Sequence, residues 1–154
     1  MVNLHFNNEL PLAQGTSINN YFADVLKNIA CDEKVKSYII SIFSKYKTSH
    51  YDLSKDSITI QYSSAKSNNN FEKFQTVGDW LFFANSIFPE SLNGASKDYY
   101  YSIGQLSYFN CYRIIHEWQI YESLADNFIP LSIECRSKIN TQTCADIHIA
   151  PFDL

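Results

Sequence analysis

Apolar residues recur at three- and four-residue intervals through most of the chain, a period that predicts helices. Ile18, Tyr21, Phe22, Val25, Leu26 and Ile29 make a first stripe, with Ser17 placed as its N-cap and an end near Cys31. Asp32 and Glu33 open a second helix with the stripe Val35, Tyr38, Ile39, Ile42, Phe43 and Tyr46. Acids at its start and Lys45 and Lys47 near its end suit the helix dipole, and the short connection makes the pair a hairpin. A third helix is expected from about Phe71 to Phe88, its stripe Phe71, Phe74, Val77, Gly78, Leu81, Ala84, Asn85 and Phe88. Trp80, Phe82 and Phe83 lie off that stripe, and a helix apolar on more than one side is a central element. Pro89 ends it.

A fourth helix is expected from about Tyr99 to Trp118, where Tyr100, Ile103, Gly104, Ser107, Cys111, Ile114, Ile115 and Trp118 share a face. Two further helical pieces, 118–127 and 130–139, are separated at Pro130, which suits a first-turn position because its missing N–H does no harm there.

Three stretches break the helical period. Residues 1–16 mix Asn, Leu, Pro and Gly without periodicity and read as an extended N-terminal arm. Residues 57–63 alternate Ile58, Ile60 and Tyr62, which fits a short strand as well as a strained helical turn. Ile147 and Ile149 also alternate, so 57–63 paired with 145–150 would form a minor two-stranded element. The run 63–70, SSAKSNNN, reads as an exposed loop. With no internal repeat or sustained heptad, the expectation is one all-α domain over 1–154, a compact bundle of about five to six helices.

The aromatic-rich third and fourth helices each carry one glycine at a core position, Gly78 and Gly104. A glycine inside a helix costs roughly 1 kcal/mol relative to alanine, so something is expected to approach each backbone closely. The expected visitor is the opposite helix, with Gly104, Ser107 and Cys111 forming the groove that receives it.

Composition adds a surplus of rings. Of 154 residues 16% are aromatic and only 18% charged, which leaves a sparsely charged surface. Either the rings fill a large core, or some remain outside for a partner to cover. The net charge of −4, with basic residues scattered singly, argues against direct nucleic-acid binding. Every hydrophobic stretch is interrupted well before the ~18 residues of a membrane span, and the N-terminus lacks a basic region followed by an apolar block. Cys31, Cys111, Cys135 and Cys144 show no tight pairing, which fits reduced thiols and a cytoplasmic location.

Catalytic and metal motifs fail one by one. Gly15, Gly78, Gly94 and Gly104 are too dispersed for a phosphate-cradling loop. His116 and Glu117 lack the second histidine of a helical zinc motif, since Ile120 stands in its place. Cys144, His148 and Cys135 offer three soft ligands with no evident fourth. Ser44 with Lys47 and Ser63 with Lys66 match Ser-x-x-Lys without its companion motifs. Cys111 and His116 stand five apart, about 140° around a helix, which makes direct contact poor. No metal, cofactor or catalytic residue is assigned, and the chain is more readily a non-enzyme.

The best polar and aromatic cluster is Asp79 and Trp80 on the third helix, then Asp98, Tyr99, Tyr100 and Tyr101 opening the fourth, with Arg113 and His116 toward its end. Consecutive helical residues point about 100° apart, so at least one of the three tyrosines faces solvent or a partner. Asp79 is alternatively a salt-bridge partner of Arg113.

The segments GDWLFFANSIFPESL, DYYYSIGQLSY and YESLADNFIPLSIEC, covering about 71–139, carry Gly78, Asp79, Phe88, Pro89, Glu90, Tyr99, Tyr100, Gly104 and Tyr108. In that order they resemble a family of uncharacterised helical bacterial proteins. The resemblance implies a bacterial helical domain and no activity.

Two functions are compatible with these readings. The first is a non-catalytic protein-interaction subunit or adaptor of a cytoplasmic bacterial or phage assembly, docking or self-associating through exposed rings. The second is a small-molecule-binding sensor or small enzyme with its pocket between helices 71–88 and 97–118, near Asp79, Tyr100, Arg113 and His116.

Overall fold

The computed structural model describes residues 18–46, 55–92, 94–116 and 118–146. A short α1 (Ile18–Val25) and α2 (Glu33–Tyr46) come first, followed by α3 (Lys55–Asn68) and α4 (Phe71–Ile87). A 3-10 turn (Pro89–Ser91) leads to α5 (Lys97–Ile114), α6 (Gln119–Asp126) and α7 (Phe128–Asp146). Among the described residues the protein is all-α, with seven helices and no strand.

The centre is α4, as its apolar residues on several sides predict. Asn70 starts it by accepting the Lys73 backbone N–H at 3.1 Å, and every residue from Val77 to Phe88 is buried. The helices α2, α3, α5 and α7 all pack on it. Asn85 and Ser86 are buried there because their side chains return to the carbonyls of Leu81 and Phe82, at 2.7 and 2.8 Å. Most of the aromatic surplus fills this core: Phe22, Phe43, Phe74, Phe82, Tyr100, Tyr108, Tyr121 and Phe128 are essentially inaccessible.

Residues 57–63 are not a strand. They lie inside α3, where Ile58 and Ala65 are buried and Tyr62 sets its ring edge-on to Phe74 at 5.8 Å, while Ile60 points outward. Spacings of four and three were hidden under a brief alternation. Of the proposed partner segment 145–150, Ala145 and Asp146 continue α7 and the remainder lies outside the described residues, as do the N-terminal arm and the Ser17 cap. Nor is 63–70 a loop: α3 runs to Asn68, and the reversal needs only Asn69 and Asn70. Asn69 adopts φ 48°, the left-handed region that asparagine tolerates better than most residues.

The fourth predicted helix stops at Ile114, because Ile115 leaves helical geometry at φ −122° and ψ 87°. Trp118 consequently lies between helices, at the start of α6. Pro130 is the third residue of α7, a first-turn position as expected, and the break falls earlier, at Asn127.

The two core glycines do not receive each other's helix backbone. A Cβ on Gly78 would stand 2.9 Å from Cε1 of Tyr108, a side chain of α5, whereas one on Gly104 would overlap the ring of Phe128 on α7. Each glycine is a seat for an aromatic ring, and the two seats serve different neighbours. No helix among the described residues is long and apolar enough to cross a membrane.

Candidate functional site

A carboxylate buried in an apolar helix is costly unless donors meet it. Asp79, only 5% exposed, is met by two phenols from two other helices. Tyr38 of α2 donates to Oδ1 at 2.9 Å and reaches Oδ2 at 3.2 Å, and Tyr108 of α5 donates to Oδ1 at 2.7 Å. Gly78 makes the second bond reachable, because the Tyr108 ring lies across α4 at that notch. One turn earlier on α4, Gln75 donates to the hydroxyl of Tyr121 at 2.6 Å and to that of Tyr38 at 3.3 Å. Asp79 and Gln75, both on α4, thus tie that helix to α2, α5 and α6.

Burial pushes the Asp79 carboxyl up to about 7, against the opposing pull of the Tyr108 and Tyr38 hydrogen bonds and the Lys45 charge. Burial also drives the phenols of Tyr38 and Tyr108 well above their ordinary value, and the Asp79 charge adds to it. Tyr121 is pushed up to about 12, again chiefly by burial. The phenols therefore stay protonated, and the carboxyl is the group of this network that changes charge near neutrality.

The network has an outlet. Tyr38 and Tyr121 line a cleft of about 640 Å³ between the start of α2 and the start of α6, together with Asp32, Lys34, Trp118 and Ile120. Asp32 is held at its edge by accepting the Lys34 backbone N–H at 2.9 Å. Trp118 is 49% exposed, and its ring stacks on Tyr121 at 6.0 Å and 19° while meeting Phe71 edge-on at 6.2 Å. A second, smaller hollow toward α7 includes Cys31 and Glu134, the latter accepting the Ala30 backbone N–H at 3.2 Å.

The residues singled out from the sequence do not form one site. Asp79 and Trp80 are both buried in α4. Tyr100 is buried, whereas Tyr99 and Tyr101 are half-buried; Tyr99 shares a hydrogen bond with Thr59, and Tyr101 packs edge-on against Phe128 at 6.3 Å. Arg113 is not the partner of Asp79. It is exposed at the far end of α5, where it donates to Asn69 at 2.6 Å and Asn110 at 3.0 Å. Exposed His116 stands edge-on to Tyr112 at 6.0 Å, away from the carboxylate network. Ser107 is buried as expected of a packing position, yet its hydroxyl has no hydrogen-bond partner among the described residues.

The interface between α4 and α5 is filled by Tyr100, Tyr108 and Cys111, and the cleft opens elsewhere. Sequence reasoning missed Tyr38, Gln75, Tyr108, Trp118 and Tyr121 as site residues, having placed Tyr38 and Trp118 in core stripes. The available signal was Asp79 itself: an acid within a helix apolar all round must find donors on the stripes packed against it.

No protein-family model, curated protein or solved structure matches this chain.

Burial raises the thiols of Cys111 and Cys135, keeping them protonated and poorly nucleophilic, and Cys31 shifts the same way. No group of three His, Cys, Asp or Glu among the described residues is placed to hold a metal ion.

Proposed function

We propose that this protein is a non-catalytic small-molecule-binding module and that its ligand occupies the cleft between α2 and α6. The observation that carries the reading is the cleft's construction: a half-exposed Trp118 stacked on Tyr121, above hydroxyls tied to a buried carboxylate. Its volume of about 640 Å³ falls within the roughly 300–1,000 Å³ of small-molecule sites. Apolar walls with a few fixed polar groups are the usual make-up of such sites, and perturbed ionisable groups gather near them. Free cysteines at positions 31, 111 and 135 fit a reducing compartment, and we place the protein in the cytoplasm on that ground.

The test is a fragment and metabolite screen read by Trp118 indole and Ile120 methyl resonances, with thermal shift alongside, because a ligand of the folded form raises Tm by mass action. Binders that shift these signals and lose affinity in Trp118→Ala support the reading. Binders that map elsewhere, or none at millimolar concentrations, overturn it.

An interaction subunit is the second reading, favoured by one observation. Leu106 and Phe109 lie near one another on α5 and are 44% and 53% exposed. Concentration-dependent light scattering, abolished by the L106S/F109S double substitution, would support self-association through that face.

A further inference from the structure

We propose that the cleft between α2 and α6 takes a small zwitterion with a flat apolar group, an aromatic amino acid or a short peptide of one, its ammonium toward Asp32 and its carboxylate toward Lys34. The proposal rests on the cleft being the binding site and names the class of ligand it takes.

Both charges come from the start of α2, and both line the cleft. Asp32 caps that helix: its carbonyl accepts the Lys36 N–H at 2.9 Å, and its Oδ2 accepts the Lys34 N–H at 2.9 Å. The cap uses one carboxylate oxygen. Among the described residues Oδ1 takes no hydrogen bond, and the exposed Lys34 ammonium makes neither a hydrogen bond nor an ion pair. Nor do the two charges pair with each other, since residues two apart on a helix do not face one another.

The adjoining hollows show that the cleft has a negative and a positive end. Asp32 also lines the smaller hollow toward α7, which adds the Glu134 carboxylate. Lys34 instead lines a hollow shared with Glu33 and Ser37. The Glu33 charge there is already matched by Lys36 at 3.0 Å, so Lys34 is the surplus charge of its end.

The rest of the cleft lining is uncharged. Val35 and Ile120 supply apolar wall, and Trp118 supplies a platform: one face of its indole stacks on Tyr121, and the half-exposed remainder is open to a flat group. A simple cation would be opposed by Lys34, and a simple anion by Asp32 and Glu134. A zwitterion matches both ends at once, which turns each charge into a means of rejecting the wrong ligand.

The test follows the Trp118 indole and Ile120 methyl resonances during titration with phenylalanine, with phenethylamine, which lacks the carboxylate, and with hydrocinnamate, which lacks the ammonium. Glycyl-phenylalanine sets the same two charges further apart and separates a free amino acid from a peptide. The better zwitterion is expected to bind about fivefold more tightly than either truncated probe, the upper end for ion pairs open to solvent, and the margin should shrink in about 1 M salt. Lys34→Gln should erase the margin over phenethylamine, and Asp32→Asn, which keeps a capping side chain, the margin over hydrocinnamate. Truncated probes that bind as tightly as both zwitterions, or a ranking that neither variant changes, overturn the proposal. Silence from all four probes at millimolar concentration also overturns it: other fragments that still shift Trp118 would then keep the cleft as a site and discard only this ligand class, whereas no shift from any compound discards both readings.

Discussion

The ring of Tyr108 lies over Gly78 so closely that a Cβ there would approach its Cε1 to 2.9 Å, and the same tyrosine bonds the neighbouring Asp79 at 2.7 Å. The glycine is therefore part of the acid's solvation. Tyr108 is held from its other sides, stacked on Tyr121 at 6.1 Å and tilted against Phe128 at 6.0 Å, while Phe128 occupies the seat at Gly104. Two hydrogen-sized positions on different helices thus support one run of rings ending at a buried carboxylate.

Gly78→Ala is expected to destabilise the protein by up to about 2 kcal/mol, since overpacking costs roughly 1–3 kcal/mol and is offset by the ~1 kcal/mol that alanine gains in a helix. The ring cannot swing away without losing its bond to Asp79. Denaturant unfolding of G78A, Y108A and the double variant measures the coupling, because the alanine should become neutral or stabilising once the ring is gone. An equal penalty in both backgrounds would place the strain elsewhere.

Stability should fall as pH rises toward neutrality, through Asp79. Its carboxyl is raised from the ordinary 3.8 to about 7, so the folded state holds the proton more tightly than the unfolded chain. That contribution is fully present below about pH 4 and is lost as pH rises through about 7, at up to ~1.4 kcal/mol per pH unit. Asp79→Asn fixes a neutral group there, and the unfolding free energy of the parent minus that of D79N should decline between pH 4 and 7 and level off above. A flat difference would show that the carboxyl does not titrate in this window.

Much of this was legible from spacing alone. The stripes on α2 and α4 fall mostly on buried residues, because burial on a helix repeats with the helix period, whereas that on α5 holds only in part: Tyr100, Gly104, Ser107 and Cys111 are buried, but Ile103, Ile114 and Ile115 are half-buried and Trp118 is exposed. The all-round apolarity of α4 likewise marks the centre of the fold. Residues 57–63 misled because an alternation over seven positions fits both periods, and only packing of Ile58 and Ala65 against α4 decides. The carboxylate network was harder to see. Tyr38, Gln75, Asp79, Tyr108 and Tyr121 come from four helices, and no local pattern records which phenol reaches which acid. Arg113 has the right charge to partner Asp79, yet it sits on an exposed face and takes Asn69 instead.

Ser107→Ala should raise stability by about 1 kcal/mol. The Ser107 hydroxyl is fully buried without a hydrogen-bond partner among the described residues, and such a group retains its desolvation cost. Alanine removes the oxygen, keeps the Cβ and has the higher helix propensity. An increase in urea midpoint at constant m-value would confirm the gain, whereas a loss would mean that the hydroxyl is satisfied in solution.

The thiols should separate by burial rather than by sequence position. Cys111 and Cys135 are fully buried with thiols raised by burial, whereas Cys31 is partly exposed at the hollow shared with Glu134. Alkylation requires the thiolate and a path to it, so Cys31 should react first of these three under native conditions. Cys111 and Cys135 should follow only at the rate of unfolding, and denaturant should bring all three to similar rates. Peptide mapping after pulses of iodoacetamide measures this directly. Native labelling of Cys111 as fast as Cys31 would mean that the wall between α4 and α5 opens far more readily than its tightly seated rings allow.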